Sequence, residues 1–266
     1  MTSEERASWE FAEGDAITPG RTVLRQLGGG NLYEVYLVWD ELLFAICVAK
    51  VLRPDQAEDE GALEDLREEA EMLAALAHPV IVRGFDAVLD GPHPHVLIEH
   101  LEGPALRRLI KRGGPAPLEQ LLPLALHVAA ALHYMERKGF VHLDVKPDNI
   151  IMGIPPRLID LSIARSLERA GRTRGPIGTD AYMAPEQCGA DGWQATIGAA
   201  ADVWGLGATL YHTASGRRPF PRETGAHASE DPAIRFPQLG VEPDPLPRGL
   251  PGSLRELIGT GVSLAG

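Results

Sequence analysis

The sequence predicts an α+β chain with a small β-rich N-terminal lobe carrying one key helix and a larger, mainly helical C-terminal lobe. Three observations predict it. Strand-like segments crowd the stretch from Thr22 to about Val51. A single stripe of apolar residues at three- and four-residue steps follows over 59–77. Beyond Glu102-Gly103-Pro104 the apolar spacing turns helical. The chain has 266 residues, 44% of them hydrophobic, enough for one large domain or two lobes.

Residues 1–16 read as a flexible acidic lead, 17–98 as the first lobe, 99–103 as a hinge and 104–266 as the second lobe. In the first lobe, Leu24, Leu27, Leu32, Val35 and Leu37 supply strand positions, broken by Gly28-Gly29-Gly30-Asn31. Over 44–51 a period of two puts Ile46, Val48 and Lys50 on one face. A lysine sharing a face with valine either snorkels to the surface or aims its charge into a cleft. In the helix at 59–77, Leu63, Leu66, Ala70, Leu73 and Ala77 form the stripe, and Glu69 falls within it. A carboxylate on the core-facing side needs a cationic partner. His78-Pro79 ends that helix, and 80–88 and 95–100 read as further strands. In the second lobe, 118–138 forms a long amphipathic helix stopped by Gly139, with Pro123 near its start.

Composition limits the function classes. Net charge is −12, with 37 acids against 25 bases, which argues against a phosphate-tracking nucleic-acid binder. The two cysteines, Cys47 and Cys188, read as reduced thiols. There is no run of about 18 apolar residues, and the polar N-terminus is unlike a signal peptide. A cytoplasmic location is the default expectation, or the cytoplasmic side if the chain is part of a longer membrane protein.

The most specific stretch is Val141-His142-Leu143-Asp144-Val145-Lys146-Pro147-Asp148-Asn149-Ile150-Ile151. It sets Asp144, Lys146 and Asn149 at fixed offsets in a proline-stiffened loop between apolar anchors. Phosphoryl transfer needs such a set: a carboxylate for the hydroxyl proton, an ammonium on the phosphate and an amide oxygen on a metal ion. Elsewhere stand Leu158-Ile159-Asp160-Leu161-Ser162, Gly178-Thr179-Asp180-Ala181-Tyr182-Met183-Ala184-Pro185-Glu186 and Asp202-Val203-Trp204-Gly205-Leu206-Gly207. With the glycine run, Lys50 and Glu69, these motifs occur in the order and at the separations of one family. From about Thr22 onward the chain resembles a bacterial eukaryotic-type (Hanks-type) serine/threonine protein kinase.

The resemblance implies a bilobal protein kinase-like fold with an antiparallel N-lobe sheet, ATP and Mg2+ as cofactors, and protein substrates bearing Ser or Thr. It implies nucleotide contacts from Leu27, Gly28, Gly30 and Val35. Val48, Ile98, Glu99, Leu101 and Ile151 would surround the adenine, with Ile98 as gatekeeper. Lys50, paired with Glu69, would contact the α/β-phosphates. Asp144 would be the catalytic base, Lys146 the phosphate-contacting lysine, and Asn149 and Asp160 the metal ligands. Thr179 would bond Asp144 and Lys146 beneath a protein substrate, Asp202 would brace the loop backbone, and His142 would be a packed structural histidine.

Four departures stand out. Tyr33 replaces the family's third glycine, Val48 stands at its usual alanine, Leu161-Ser162 replaces its Phe-Gly, and Leu143 replaces an arginine that receives an activation-segment phosphate. Thr173 and Ser166 are candidate acceptors there, among Arg165, Arg169, Arg172 and Arg174. Loss of the arginine predicts activity that depends little on phosphorylation of that segment. The family also continues to an arginine that pairs with Glu186, and none follows here, so the second lobe is expected to lack its last helices. Two rival functions compete: a pseudokinase acting as a nucleotide-binding or scaffolding module, and a small-molecule phosphotransferase, disfavoured by residues 178–186. The sequence leaves a homodimer open.

Overall fold

The β-branched and aromatic content of residues 16–52 resolves into four antiparallel strands in the computed structural model, which describes residues 7–189, 196–221, 225, 227 and 229–263. These are β1 (Ala16–Thr18), β2 (Arg21–Gly29), β3 (Tyr33–Asp40) and β4 (Ala45–Leu52). Helix α1 (Glu60–Ala75) follows, then β5 (Gly84–Val88) and β6 (His95–Glu99). All six strands form one antiparallel sheet in the order β1-β2-β3-β4-β6-β5. The Cα framework divides into two units, one of Met1–Ala77 with Val82–Glu102, the other of His78–Ile81 with Gly103–Gly266.

In the first unit, Val23, Tyr36, Val38, Cys47, Ala49, Val51 and Leu97 build the sheet's core. Part of the expected flexible lead is anchored to that core. Trp9 donates its indole N–H to the Leu52 carbonyl at 2.7 Å, and the Phe11 ring meets Tyr36 edge-on. Two aromatic rings in the lead bury more apolar surface than its acidic composition suggests. Helix α1 begins where the sequence signals it, with the Asp59 side chain accepting from the Ala62 N–H at 2.8 Å. It buries Leu66, Glu69 and Leu73, which share the expected face. The strand expected at 80–88 is shorter. Ile81 N–H turns back to the His78 carbonyl, and regular pairing begins only at Gly84.

The second unit holds α2 (Leu106–Gly113), α3 (Leu118–Arg137), β7 (Phe140–Val141), β8 (Ile150–Ile151), β9 (Arg157–Leu158), β10 (Arg165–Ser166) and α4 (Leu167–Arg172). Then come α5 (Ala199–Ser215), α6 (Pro232–Arg235) and α7 (Gly252–Thr260). From Ala201 to Ala214 every residue of α5 except Val203 is buried. A helix covered on nearly all sides is the centre of its lobe. It packs on α3 and α7, and α7 buries Leu254 and Ile258, four residues apart. Among the described residues no helix is long and apolar enough to cross a membrane. Both cysteines are buried free thiols, and burial pushes Cys188 up to about 12.

Candidate functional site

The polar residues picked out in the sequence fall into two sets, one in each unit. In the first unit, the β3/β4 register places Val35 opposite Lys50 and Leu37 opposite Val48, while β6 places Ile98 opposite Val48. Lys50 and Glu69 are both buried, and the ammonium donates to both carboxylate oxygens, at 2.7 and 2.8 Å. The charge expected within the α1 stripe and the charge expected on the strand face thus satisfy each other. Gly28 and Gly30 flank the β2–β3 turn with open space where a side chain would stand, and Leu27 beside them is exposed. Tyr33 is buried, with the Lys50 ammonium 4.4 Å from its ring centroid. The residue in the third-glycine position therefore covers one side of the lysine. Glu99 is buried in β6, accepting from the Arg83 backbone and guanidinium, and Leu101 is half-buried beyond the strand's end.

In the second unit, the loop 142–149 is built on α5. Asp202, Gly205 and Thr209 recur at three- and four-residue steps and present one helix face to it. Asp202 is fully buried and accepts from the backbone N–H groups of His142 and Leu143, each at 2.7 Å. Burial pushes its carboxyl above the usual range, against those N–H groups and nearby His142. Gly205 lets Val145 close in, since a Cβ there would stand 3.1 Å from the Val145 side chain. Thr209 donates to the Val145 carbonyl at 3.2 Å. These contacts hold Leu143 at φ +64°, a strained conformation for a branched residue.

Asp144 follows directly. Its Oδ2 accepts from Lys146 Nζ at 2.6 Å and from Asn149 Nδ2 at 3.0 Å. Its Oδ1 is buried and accepts nothing among the described residues. An orphaned carboxylate oxygen in a native fold needs an explanation, and a substrate hydroxyl would supply one. Asn149 spends its N–H groups on Asp144, leaving Oδ1 as a hard oxygen donor. The Asn149 carbonyl accepts from the Ile159 N–H, which fixes the strand end before Asp160. Asp160 itself lies at φ +66° with its Oδ1 accepting from the Ser162 N–H. An amide oxygen and a carboxylate held this way suit a hard cation that keeps water or phosphate as its other ligands. Ile151, in β8, is half-buried beside the Gly103 turn.

The segment after Asp160 is fastened to this loop. Lys146 Nζ donates to Thr179 Oγ1 at 2.7 Å, but no hydrogen bond joins Thr179 to Asp144. The expected double contact is therefore single, because the ammonium sits between the two. Gly178 lies at φ +121°, and a Cβ there would meet the Leu143 carbonyl at 2.9 Å. Gln187 donates to the carbonyls of Leu143, at 2.8 Å, and Ile177, at 2.9 Å. Thr173 ends α4, its hydroxyl donating to the Arg169 carbonyl at 3.1 Å. Leu143 is 3% exposed, in an apolar cluster with Ala170, Ala181, Tyr182 and Trp204, against which Ile163 and Ile177 pack.

A family model for the protein kinase domain matches residues 21–246. The chain belongs to the protein kinase family. It is similar to the serine/threonine-protein kinases PknB of Mycobacterium leprae, 34% identical over 77% of this chain, and pkn2 of Myxococcus xanthus, 34% identical over 84%. It is also similar to a probable serine/threonine-protein kinase of Streptomyces coelicolor, 32% identical over 82%. The chain spans 35%, 28% and 34% of the lengths of those relatives.

Within this kinase domain, sequence reasoning missed Gln187. Its only local signal is its place directly after Pro185-Glu186, and its partners lie 44 and 10 residues away. It also missed Tyr33 as a partner of Lys50, a diagonal neighbour that becomes visible only once the β3/β4 register is known. Glu186 is without an ion-pair partner among the described residues, and burial raises its pKa.

Proposed function

We propose that this domain transfers the γ-phosphate of ATP to serine or threonine hydroxyls of proteins, with little dependence on phosphorylation of its own activation segment. The observation that carries the reading is Asp144, with one carboxylate oxygen held by Lys146 and Asn149 and the other buried and unfilled. The substrate hydroxyl oxygen forms a bond to the γ-phosphorus as the bond to the ADP oxygen breaks. Asp144 Oδ1 orients that hydroxyl and takes its proton. Lys146 offsets the charge that develops on the transferred group. Lys50, fixed by Glu69, contacts the α/β-phosphates, and Val35, Val48, Ile98, Glu99, Leu101 and Ile151 contact the adenine. Asn149 and Asp160 are the residues that would hold Mg2+, which when bound neutralises phosphate charge. Family turnover is about 1–100 s⁻¹.

Independence from phosphorylation is supported by what surrounds Leu143. An apolar cluster stands where a phosphate would need cations, while Gln187 and Gly178 already fasten the segment to the loop. A second reading, a module that binds nucleotide without transfer, draws on Tyr33 covering Lys50. Transfer from γ-labelled ATP to a general protein substrate, wild type against Asp144→Ala, separates the two. Transfer lost in the variant supports the first reading; two equally silent proteins that still bind ATP support the second. We place the domain in the cytoplasm, or on the cytoplasmic side of a longer membrane protein.

A further inference from the structure

The second unit carries a cavity of about 620 Å³ whose lining includes Arg107, Arg108, Lys111, Asp148, His212 and Gly216. Three cations and one carboxylate thus line it, in a chain whose net charge is −12. Helix stability does not account for them all. Lys111 lies in the last turn of α2, where a cation suits the helix dipole. Arg107 and Arg108 lie in the first turn, where a cation opposes it, and Arg107 and Lys111 are like charges four residues apart. Among the described residues none of the three forms an ion pair. Arg108 and Lys111 are exposed, and Arg107 is half-buried.

The wall behind these cations is neutral. His212 is buried and bonded to the Tyr182 hydroxyl at 2.6 Å. Burial, with Arg107 and Arg218 close by, pushes His212 down to about 4, so it carries no charge at neutral pH. Arg218, whose charge also acts on the Tyr182 hydroxyl, adds a fourth cation near that wall. The cavity is tied to the reaction by two residues. Asp148 lies in the 3-10 turn Pro147–Asn149, four residues past Asp144. Tyr182 donates its backbone N–H to the carbonyl of Thr179, which is bonded to Lys146.

We propose that Arg107, Arg108 and Lys111 form a specificity subsite for an anionic side chain, carboxylate or phosphate, flanking the accepting hydroxyl of a peptide substrate. This rests on the transfer function above and names its substrate class. An acidic or already phosphorylated peptide would meet guanidinium and ammonium groups that form no ion pair among the described residues and whose hydrogen bonds to anions are charge-assisted. A basic peptide would meet like charge.

The test uses fluorescent peptides with one central serine, flanked by alanine, glutamate, phosphoserine or arginine. Both binding anisotropy and phosphate transfer are read. The expected result is glutamate or phosphoserine peptides binding about tenfold tighter than the alanine peptide, the size of one charge-assisted contact. The arginine peptide should bind weakest. Arg107→Glu with Lys111→Glu should abolish or invert that order, and Arg137→Glu on α3 should leave it unchanged. Which anionic peptide binds tighter identifies the source of the anion. Equal binding of all four peptides, or an order unchanged in the double variant, would overturn the proposal. If peptides transfer equally well, the kinase reading survives and the subsite fails. If anionic peptides bind selectively but no hydroxyl is phosphorylated, the subsite stands and the transfer reading fails.

Discussion

The loop at 142–149 and the segment at 173–187 lie in the same unit but are held by different physics. The loop hangs on a buried carboxylate, Asp202, that accepts two backbone N–H groups. The segment is held by apolar packing around Leu143, by an amide side chain and by one close glycine. In the loop, the polar side chains of Lys146 and Asn149 both bond the Asp144 carboxylate. Leu143, in the loop, is the packed residue that the segment's Ala181, Tyr182 and Ile177 pack around. On the proposed function the comparison separates reaction from regulation: polar contacts order the loop where atoms would react, and packing, one amide and one glycine fasten the segment.

The sharpest way to break this comparison is Asp144→Asn, which keeps the shape and removes the proton acceptor. Transfer should fall by about 10²–10⁴ with the melting temperature nearly unchanged. A smaller fall would move the base elsewhere. Next comes Asp202→Ala, which leaves two buried N–H groups without acceptors and releases the strained Leu143. Denaturant unfolding should show a loss of about 2–5 kcal/mol. Gln187→Leu tests the segment's fastening. It strips two carbonyls of their donor and should cost about 1–3 kcal/mol, with transfer reduced, whereas Thr173→Ala should change stability by less than about 0.5 kcal/mol.

The smallest expected effect is electrostatic. Burial raises the Glu186 pKa, so the folded state holds that proton more tightly than the unfolded chain. Its contribution to stability is therefore present at acidic pH and is lost as pH rises from the unfolded value through the folded one. Glu186→Gln should melt higher than wild type at pH 7–8, with the difference vanishing below the ordinary carboxylate range. A gap of the same size at every pH would show that Glu186 is not the titrating group.

The polar contacts within the loop at 142–149 and the helix α1 were legible because their information is local. Fixed offsets place Asp144, Lys146 and Asn149, and Asp59 caps the helix it precedes. Lys50 and Glu69, 19 residues apart, were legible as two misfits, each needing what the other supplies. What escaped depends on distant partners. Val80 and Ile81 have strand-like side chains, yet the Val80 carbonyl accepts from Leu158 of β9 instead of continuing β5. Trp9 in the lead is anchored 43 residues away, at Leu52. The cations of α2 line a cavity only because folding placed Asp148 and His212 beside them.

The central claim is that this kinase domain transfers phosphate through Asp144 without a phosphate of its own on the activation segment. The direct measurement is the rate of γ-phosphate transfer to a protein substrate by phosphatase-treated wild type, Thr173→Ala and Asp144→Ala, side by side. The account predicts equal rates for the first two and none for the third. A Thr173→Ala rate as low as that of Asp144→Ala, or wild type as silent as both, would contradict it.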